Sequence, residues 1–161
     1  HGLWLYAYRA NGAGGDAYLA YCTIADNGGT GISTAADNNS SYVHATDCVI
    51  CGNLEGVHGM SWGPVDVDHS VVSGNGTDFV GTGTRSANSS EPMRFDAGGR
   101  AYDYHPLPGS PACGLARALT AADKIAEPVD DLDGTVRRNK DGKRVAGCFA
   151  LKPSGLLLFV R

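Results

Sequence analysis

A gapless internal repeat in the first half of the chain most strongly limits how the chain can fold. Three segments align, at residues 17–27, 43–53 and 65–75, so the period is 26 and then 22 residues. Small or apolar residues alternate with polar ones in each segment, and each segment ends on an asparagine. A repeat of this length predicts stacked structural units, because each unit can bury its inner face only against its neighbours.

Stacking the segments in the aligned register predicts columns of like residues, about 4.8 Å apart between neighbouring strands. One inward column would hold Ile24, Ile50 and Val72. A second column would hold Cys22, Cys48 and Ser70. A leucine-rich repeat has a similar period but needs a leucine consensus that is missing, so the pattern indicates a parallel β-solenoid.

The closing asparagines of the three segments predict a turn that recurs in every unit. Asparagine tolerates the left-handed backbone, and its side-chain amide can hydrogen-bond to the next unit of a stack. We therefore expect Asn27, Asn53 and Asn75 to form an asparagine ladder.

Composition agrees with this β-rich pattern. The chain has 161 residues with 23 Gly, 14 Asp against 3 Glu, and only 4 Lys. Helical bundles favour Glu, Lys, Leu and Ala, so this composition argues against a helical fold. Glycine is expected in the loops, where a positive φ is needed.

Charge is distributed unevenly along the chain. The net charge is −4, made of −7 over residues 1–80 and +3 over residues 81–161. An acidic first half repels nucleic acid and anionic membranes, and no apolar run reaches 18 residues, so we expect neither a nucleic-acid partner nor a membrane span. The chain begins inside a strand-like stretch at residues 3–8. We therefore expect a processed product or a piece of a longer chain.

Four short motifs follow in order in the second half, at residues 91–95, 102–112, 131–137 and 145–149. Together with the repeats, they resemble the C-terminal region of bacterial secreted parallel β-helix proteins of the pectin-lyase-like superfamily, of the choice-of-anchor type. The resemblance implies an all-β chain, with about three coils of a right-handed parallel β-helix in residues 1–80 and an irregular C-terminal cap in residues 81–161. It also implies an extracellular or cell-surface location.

The five cysteines leave their pairing open. Cys113 and Cys148 stand where the two family motifs are altered, which invites a disulfide between them, with two unpaired buried thiols as the alternative. Cys22 and Cys48 are a second candidate pair. The Cys48-x-x-Cys51 spacing lacks a second ligand pair for zinc and a βαβ context for redox chemistry, so it favours a structural role.

A carboxylate–imidazole cluster is the candidate chemical site of the repeats. The register places His44 beside Asp66 and Asp47 beside His69 on adjacent units, and these four residues are the candidate metal ligands. Asp66 and Asp68 should face solvent, and with His69 they are the candidate acid–base residues. A solvated polar face is the alternative interpretation. No cofactor is expected, apart from the calcium that acidic side chains hold in the lyases of the resembled superfamily.

Sugar attachment and assembly are further expectations. Asn38, Asn39 and Asn88 are candidate glycosylation sites in polar loops. The apolar tail at residues 155–161 and the uneven charge suit head-to-tail self-association into a fibre, and pairing of the tail within its own domain is the alternative. The sequence predicts a non-catalytic structural or adhesive module that associates with glycans; the alternative is a polysaccharide hydrolase or lyase, or its remnant.

Overall fold

Short strands account for most of the regular structure in the computed structural model of this protein. The model describes residues 2–7, 15–36, 42–96, 103–137 and 143–151. In these ranges the only helix is one turn of 3-10 helix at Ala121–Asp123. No helix within them is long and apolar enough to cross a bilayer. The strands are β1 (Leu3–Ala7), β2 (Asp16–Ala20), β3 (Thr23–Ala25), β4 (Thr30–Ala36), β5 (Tyr42–Thr46), β6 (Val49–Cys51), β7 (Glu55–Gly59), β8 (Val65–Asp68), β9 (Val71–Ser73), β10 (Thr77–Gly81), β11 (Arg85–Ser86), β12 (Cys113–Ala116) and β13 (Arg144–Val145).

Three parallel sheets are built by pairing each strand with the strand three positions later in the chain. The first sheet has the order β1-β4-β7-β10, the second β2-β5-β8-β11 and the third β3-β6-β9. Every pairing in these sheets is parallel. An antiparallel pair, β12 with β13, lies outside them. The predicted all-β class with stacked parallel strands is therefore confirmed.

The strand register follows the sequence alignment of the three repeats. Ile24 pairs with Ile50, which pairs with Val72, and Val43 pairs with Val65. These inward side chains meet in one core, where burying branched aliphatic residues supplies most of the stabilisation. Its fully buried members include Ile32, Val43, Ala45, Cys48, Ile50, Val57, Val65, Val67 and Val72.

Left-handed corners separate the second sheet from the third and the third from the first. Residues with positive φ recur at equivalent places in successive repeats, and at the corner after the third sheet they are Asp and Gly, which tolerate the left-handed backbone. The corner between the second and third sheets has Tyr21, Asp47, His69 and Ala87, and the corner after the third sheet has Asp26, Gly52 and Gly74.

The closing asparagines form a hydrogen-bonded ladder at the second of these corners. Nδ2 of Asn27 donates to Oδ1 of Asn53 at 2.8 Å, and Nδ2 of Asn53 donates to Oδ1 of Asn75 at 2.9 Å. The ladder ends on Asp78, whose carboxylate accepts from Nδ2 of Asn75 at 2.8 Å. Each backbone N–H of the three asparagines also donates to the next side chain along the ladder.

The described C-terminal residues pack along the outer side of the third sheet. Their antiparallel pair β12–β13 covers the outward side chains of β6 and β9, in a second apolar cluster of Val49, Cys51, Val71, Ala112, Val145 and Ala146. Arg137 holds this region together from inside, because its guanidinium donates to the carbonyls of Asp130, Gly147 and Cys148. The apolar tail predicted to mediate self-association lies outside the described residues.

All five cysteines are free thiols in the structure, so the predicted Cys113–Cys148 disulfide has no support. The residue opposite Cys113 in the β12–β13 pair is Val145 rather than Cys148. Cys148 lies beyond Gly147, whose φ of +93° turns the chain, and its N–H donates to Oγ1 of Thr23. The two motifs therefore meet through their strands and not through their sulfur atoms.

Candidate functional site

A groove of about 420 Å³ runs beside the second sheet. One wall is the outer face of that sheet, where Tyr18, His44 and Asp66 follow one another on β2, β5 and β8. The other wall is the chain segment 117–125 from the C-terminal half. Side chains alternate between the two faces of a strand, so the same strands that fill the core also present this polar row.

Aromatic rings line one end of the groove. The rings of Tyr18 and His44 are stacked, with centroids 4.8 Å apart and planes 10° from parallel. From the opposite wall, Nζ of Lys124 donates to the Tyr18 hydroxyl at 2.7 Å. This hydrogen bond raises the pKa of Lys124 and keeps its ammonium charged. Tyr18 thus joins the two walls.

Two carboxylates occupy the middle of the groove, and both are already hydrogen-bonded. Oδ1 of Asp66 accepts from the backbone N–H of Thr84 at 2.7 Å, and Oδ2 lies 3.6 Å from Nδ1 of His44. Oδ2 of Asp68 accepts from Nε of Arg117 at 3.2 Å and lies 3.1 Å from Nδ1 of His69. About a third of each carboxylate side chain remains exposed to the groove.

Arg117 clamps the segment 117–125 to the sheet. Its guanidinium pairs with Asp123 through both terminal nitrogens and with Asp68 through Nε. The paired guanidinium holds the pKa of Asp123 far below its usual range, and that of Arg117 is raised in turn. Thr120 adds a backbone N–H at 2.5 Å and a hydroxyl at 2.9 Å to the Asp123 carboxylate, which fixes the turn that follows Arg117.

Asp47 lies beneath this clamp with a fully buried carboxylate. Oδ1 accepts the backbone N–H of Arg117 at 2.9 Å, but Oδ2 has no hydrogen-bond partner. Burial raises the pKa of Asp47 to about 6, against a usual value of 3.8, and the bonds from Arg117 offset only part of this cost. Asp47 therefore positions the groove wall rather than facing the groove.

The predicted metal ligands do not converge on one point. Within the described ranges, no three His, Cys, Asp or Glu side chains are arranged to hold a metal ion. His44 contacts Asp66, and His69 contacts Asp68. Asp47 instead accepts the backbone N–H of Arg117. The imidazoles and carboxylates therefore form separate pairs along the sheet.

Of the three predicted glycosylation sites, the structure describes Asn88. Nδ2 of Asn88, the atom that would carry a glycan, donates to the carbonyl of Val67 at 2.8 Å. Oδ1 of Asn88 accepts from the N–H of Ser70 at 2.9 Å, so this side chain continues the column of Cys48 and Ser70. Asn38 and Asn39 lie outside the described residues.

Four groove residues whose side chains stack, pair or hydrogen-bond there were not predicted from the sequence as site residues: Tyr18, Arg117, Asp123 and Lys124. The repeat alignment carries the signal for Tyr18, which occupies the position of His44 and Asp66 in the first segment. No pattern marks the other three, because they lie in an aperiodic region, and the strand residues that Arg117 and Lys124 contact are 49 and 106 residues away along the chain.

No family model, curated protein or solved structure matches the chain.

Proposed function

We propose that this protein is a right-handed parallel β-helix module that binds a glycan in the groove beside the second sheet without cleaving it. The three-strand period, the in-register columns and the asparagine ladder support the β-helix, because stacked coils account for all three at once. An experimental structure with left-handed crossovers between the sheets would contradict this architecture.

The composition of the groove favours a neutral sugar as its ligand. The stacked Tyr18 and His44 rings give the groove an apolar part, and nearby carboxylate and hydroxyl oxygens accept hydrogen bonds from sugar hydroxyls. The groove is lined by the carboxylates of Asp66, Asp68 and Asp123 against the cations of Arg117 and Lys124, so its excess of negative charge disfavours a polyuronate, as does the net charge of −7 over residues 1–80. The volume of the groove lies within the usual range of small-ligand sites.

The contacts of the two carboxylates carry the proposal that the site is not catalytic. Hydrolysis of a glycosidic bond needs one carboxylic acid that gives up a proton and a second carboxylate that attacks or activates water. Asp68 is held by Arg117 and contacts His69, while Asp66 accepts a backbone N–H. Both carboxylates are thus engaged in holding the groove, which suits a binding surface.

Tyr18 provides the direct test of glycan binding. Isothermal titration with neutral oligosaccharides should give saturable binding that Tyr18→Ala weakens at least tenfold, because the groove loses both the lining ring and its hydroxyl. Trp62→Ala is the matched control, since Trp62 is an exposed aromatic residue that does not line the groove. Equal loss in both variants, or binding that only Trp62→Ala abolishes, would place the sugar elsewhere.

The same preparations test for catalysis. We expect no release of reducing ends or unsaturated products from neutral or uronate polysaccharides. Turnover that Asp66→Asn or Asp68→Asn abolishes would overturn the non-catalytic proposal and favour a polysaccharide hydrolase or lyase.

A further inference from the structure

Two cysteine side chains from adjacent repeats meet inside the β-strand stack. Cys22 precedes β3 and Cys48 precedes β6, and the next residues, Thr23 and Val49, are paired in register. Cys48 is fully buried in the core cluster, and Cys22, which is partly exposed, packs against that cluster. The two sulfur atoms therefore belong to one column of the stack.

The spacing of this column suits a covalent bond. Neighbouring strands lie about 4.7–4.9 Å apart, and disulfides usually join Cα atoms about 4.4–6.8 Å apart. Both thiols point back along the chain towards a carbonyl two residues earlier, Cys22 to Ala20 and Cys48 to Thr46. They have the same orientation on successive units, so the two sulfur atoms are neighbours in the stack.

The surroundings make Cys22 the reactive member of the pair. The adjacent Cys48 thiol, assisted by the nearby Arg137 cation, lowers the pKa of Cys22 to about 7. Contact with the Cys22 thiol, followed by burial, raises the pKa of Cys48 well above its usual value. A partly exposed thiolate next to a buried thiol is the arrangement in which one sulfur attacks an oxidant and the other resolves the adduct.

We propose that Cys22 and Cys48 are an oxidation site that forms a disulfide between the first two repeats on reaction with a small disulfide. The Cys22 thiolate attacks one sulfur of glutathione disulfide and releases one glutathione thiolate. Cys48 then attacks Cys22 in the mixed disulfide, releases the second glutathione, and passes its proton to that leaving thiolate. The first glutathione thiolate takes from water the proton that Cys22 gave up, so the two protein thiols are oxidised by two electrons and one glutathione disulfide is reduced to two thiols.

The other cysteines are less well placed to form a bond with Cys22. The backbone N–H of Cys148 donates to Oγ1 of Thr23, and this contact lies outside the third sheet. Cys22, in contrast, packs into the core. Cys51 is buried in the second apolar cluster, where burial raises the pKa of its thiol to about 12. Cys113 donates to the carbonyl of Leu107 at 3.5 Å.

The test is oxidation of the intact chain with glutathione disulfide, followed by non-reducing peptide mapping. We expect a Cys22–Cys48 crosslinked peptide and a loss of two hydrogen masses that a reductant reverses. Cys48→Ser should instead accumulate a stable glutathione adduct on Cys22, and it should fold because Ser70 already occupies the same column position in the third repeat. Cys51→Ser and Cys113→Ser are controls that should leave the crosslink unchanged.

Three outcomes would overturn the proposal. They are a Cys22–Cys148 crosslink, a glutathione adduct on wild-type Cys22 that never resolves, and a fully reduced chain after prolonged oxidation. The thermal midpoint gives a second readout, because a bond between repeats should raise it in the oxidised wild type and leave that of Cys48→Ser unchanged.

Discussion

The buried carboxylate of Asp47 lowers the free energy of unfolding when it is charged. Asp47 occupies a left-handed corner, holds the N–H of Arg117, and leaves one carboxylate oxygen buried without a partner. Glycine would suit the backbone there but could not hold Arg117. Asparagine would keep both the corner and one acceptor oxygen, and it would remove the charge.

The buried charge makes folding depend on pH. The pKa of Asp47 is about 6 in the folded protein and near 3.8 when solvated, so the folded state binds a proton more tightly than the unfolded state. Stability should therefore increase as pH falls from about 7.5 through 6 towards 4, by about 1–3 kcal/mol from this residue. Arg117, Asp68 and His69 surround the carboxyl and also contribute to its pKa.

Asp47→Asn isolates this contribution. Urea unfolding at pH 7.5 and pH 5 should show that the substitution removes part of the gain on acidification, while titration of the surrounding groups remains. An Asp16→Asn control should keep the wild-type pH dependence, because Asp16 is exposed at the start of β2. Parallel pH profiles for wild type and Asp47→Asn would contradict the assignment.

At the scale of the elements, the corners between sheets differ in whether they leave room for a side chain. Gly52 and Gly74 occupy equivalent corners with φ of +67° and +66°. A Cβ on Gly52 would lie 2.1 Å from Oδ1 of Asp26, whereas a Cβ on Gly74 would meet no atom within 4 Å. Asp26 cannot move freely, because its carboxylate accepts the Tyr104 hydroxyl at 2.9 Å.

These two glycines allow backbone strain and steric contact to be separated. Gly74→Ala should cost about 1 kcal/mol of unfolding free energy from the left-handed backbone alone. Gly52→Ala should cost about 2–3 kcal/mol, because it also displaces Asp26 from Tyr104. Adding Asp26→Ala should make the Gly52→Ala step cost about as much as Gly74→Ala. Equal losses of unfolding free energy in the two single variants would show that the Asp26 side chain moves aside without a measurable cost.

At the scale of the whole molecule, the periodic part of the chain was predictable and the aperiodic part was not. The alignment of Ile24, Ile50 and Val72 matches the strand register, because stacking places like residues at like heights. Arg117 and Lys124 reach the second sheet from 49 and 106 residues away along the chain. No local pattern encodes contacts of that range, so the second wall of the groove emerges only from the fold.

Arg137 tests whether the C-terminal region is an integral part of the fold. Its guanidinium is buried, donates to three carbonyls, and lies 4.6 Å from the centroid of the Tyr21 ring. Lysine keeps the charge but loses the planar fork and leaves carbonyls without donors, so Arg137→Lys should cost about 2–4 kcal/mol in urea unfolding. It should also speed proteolysis within residues 103–137 and 143–151, because β12 and β13 would detach from the third sheet. Arg85→Lys is the control, since Arg85 is exposed and should change stability by about 0.5 kcal/mol or less. If Arg137→Lys matched this control in both assays, the docking of the C-terminal region would depend on its apolar contacts with Val49 and Val71 and not on the arginine.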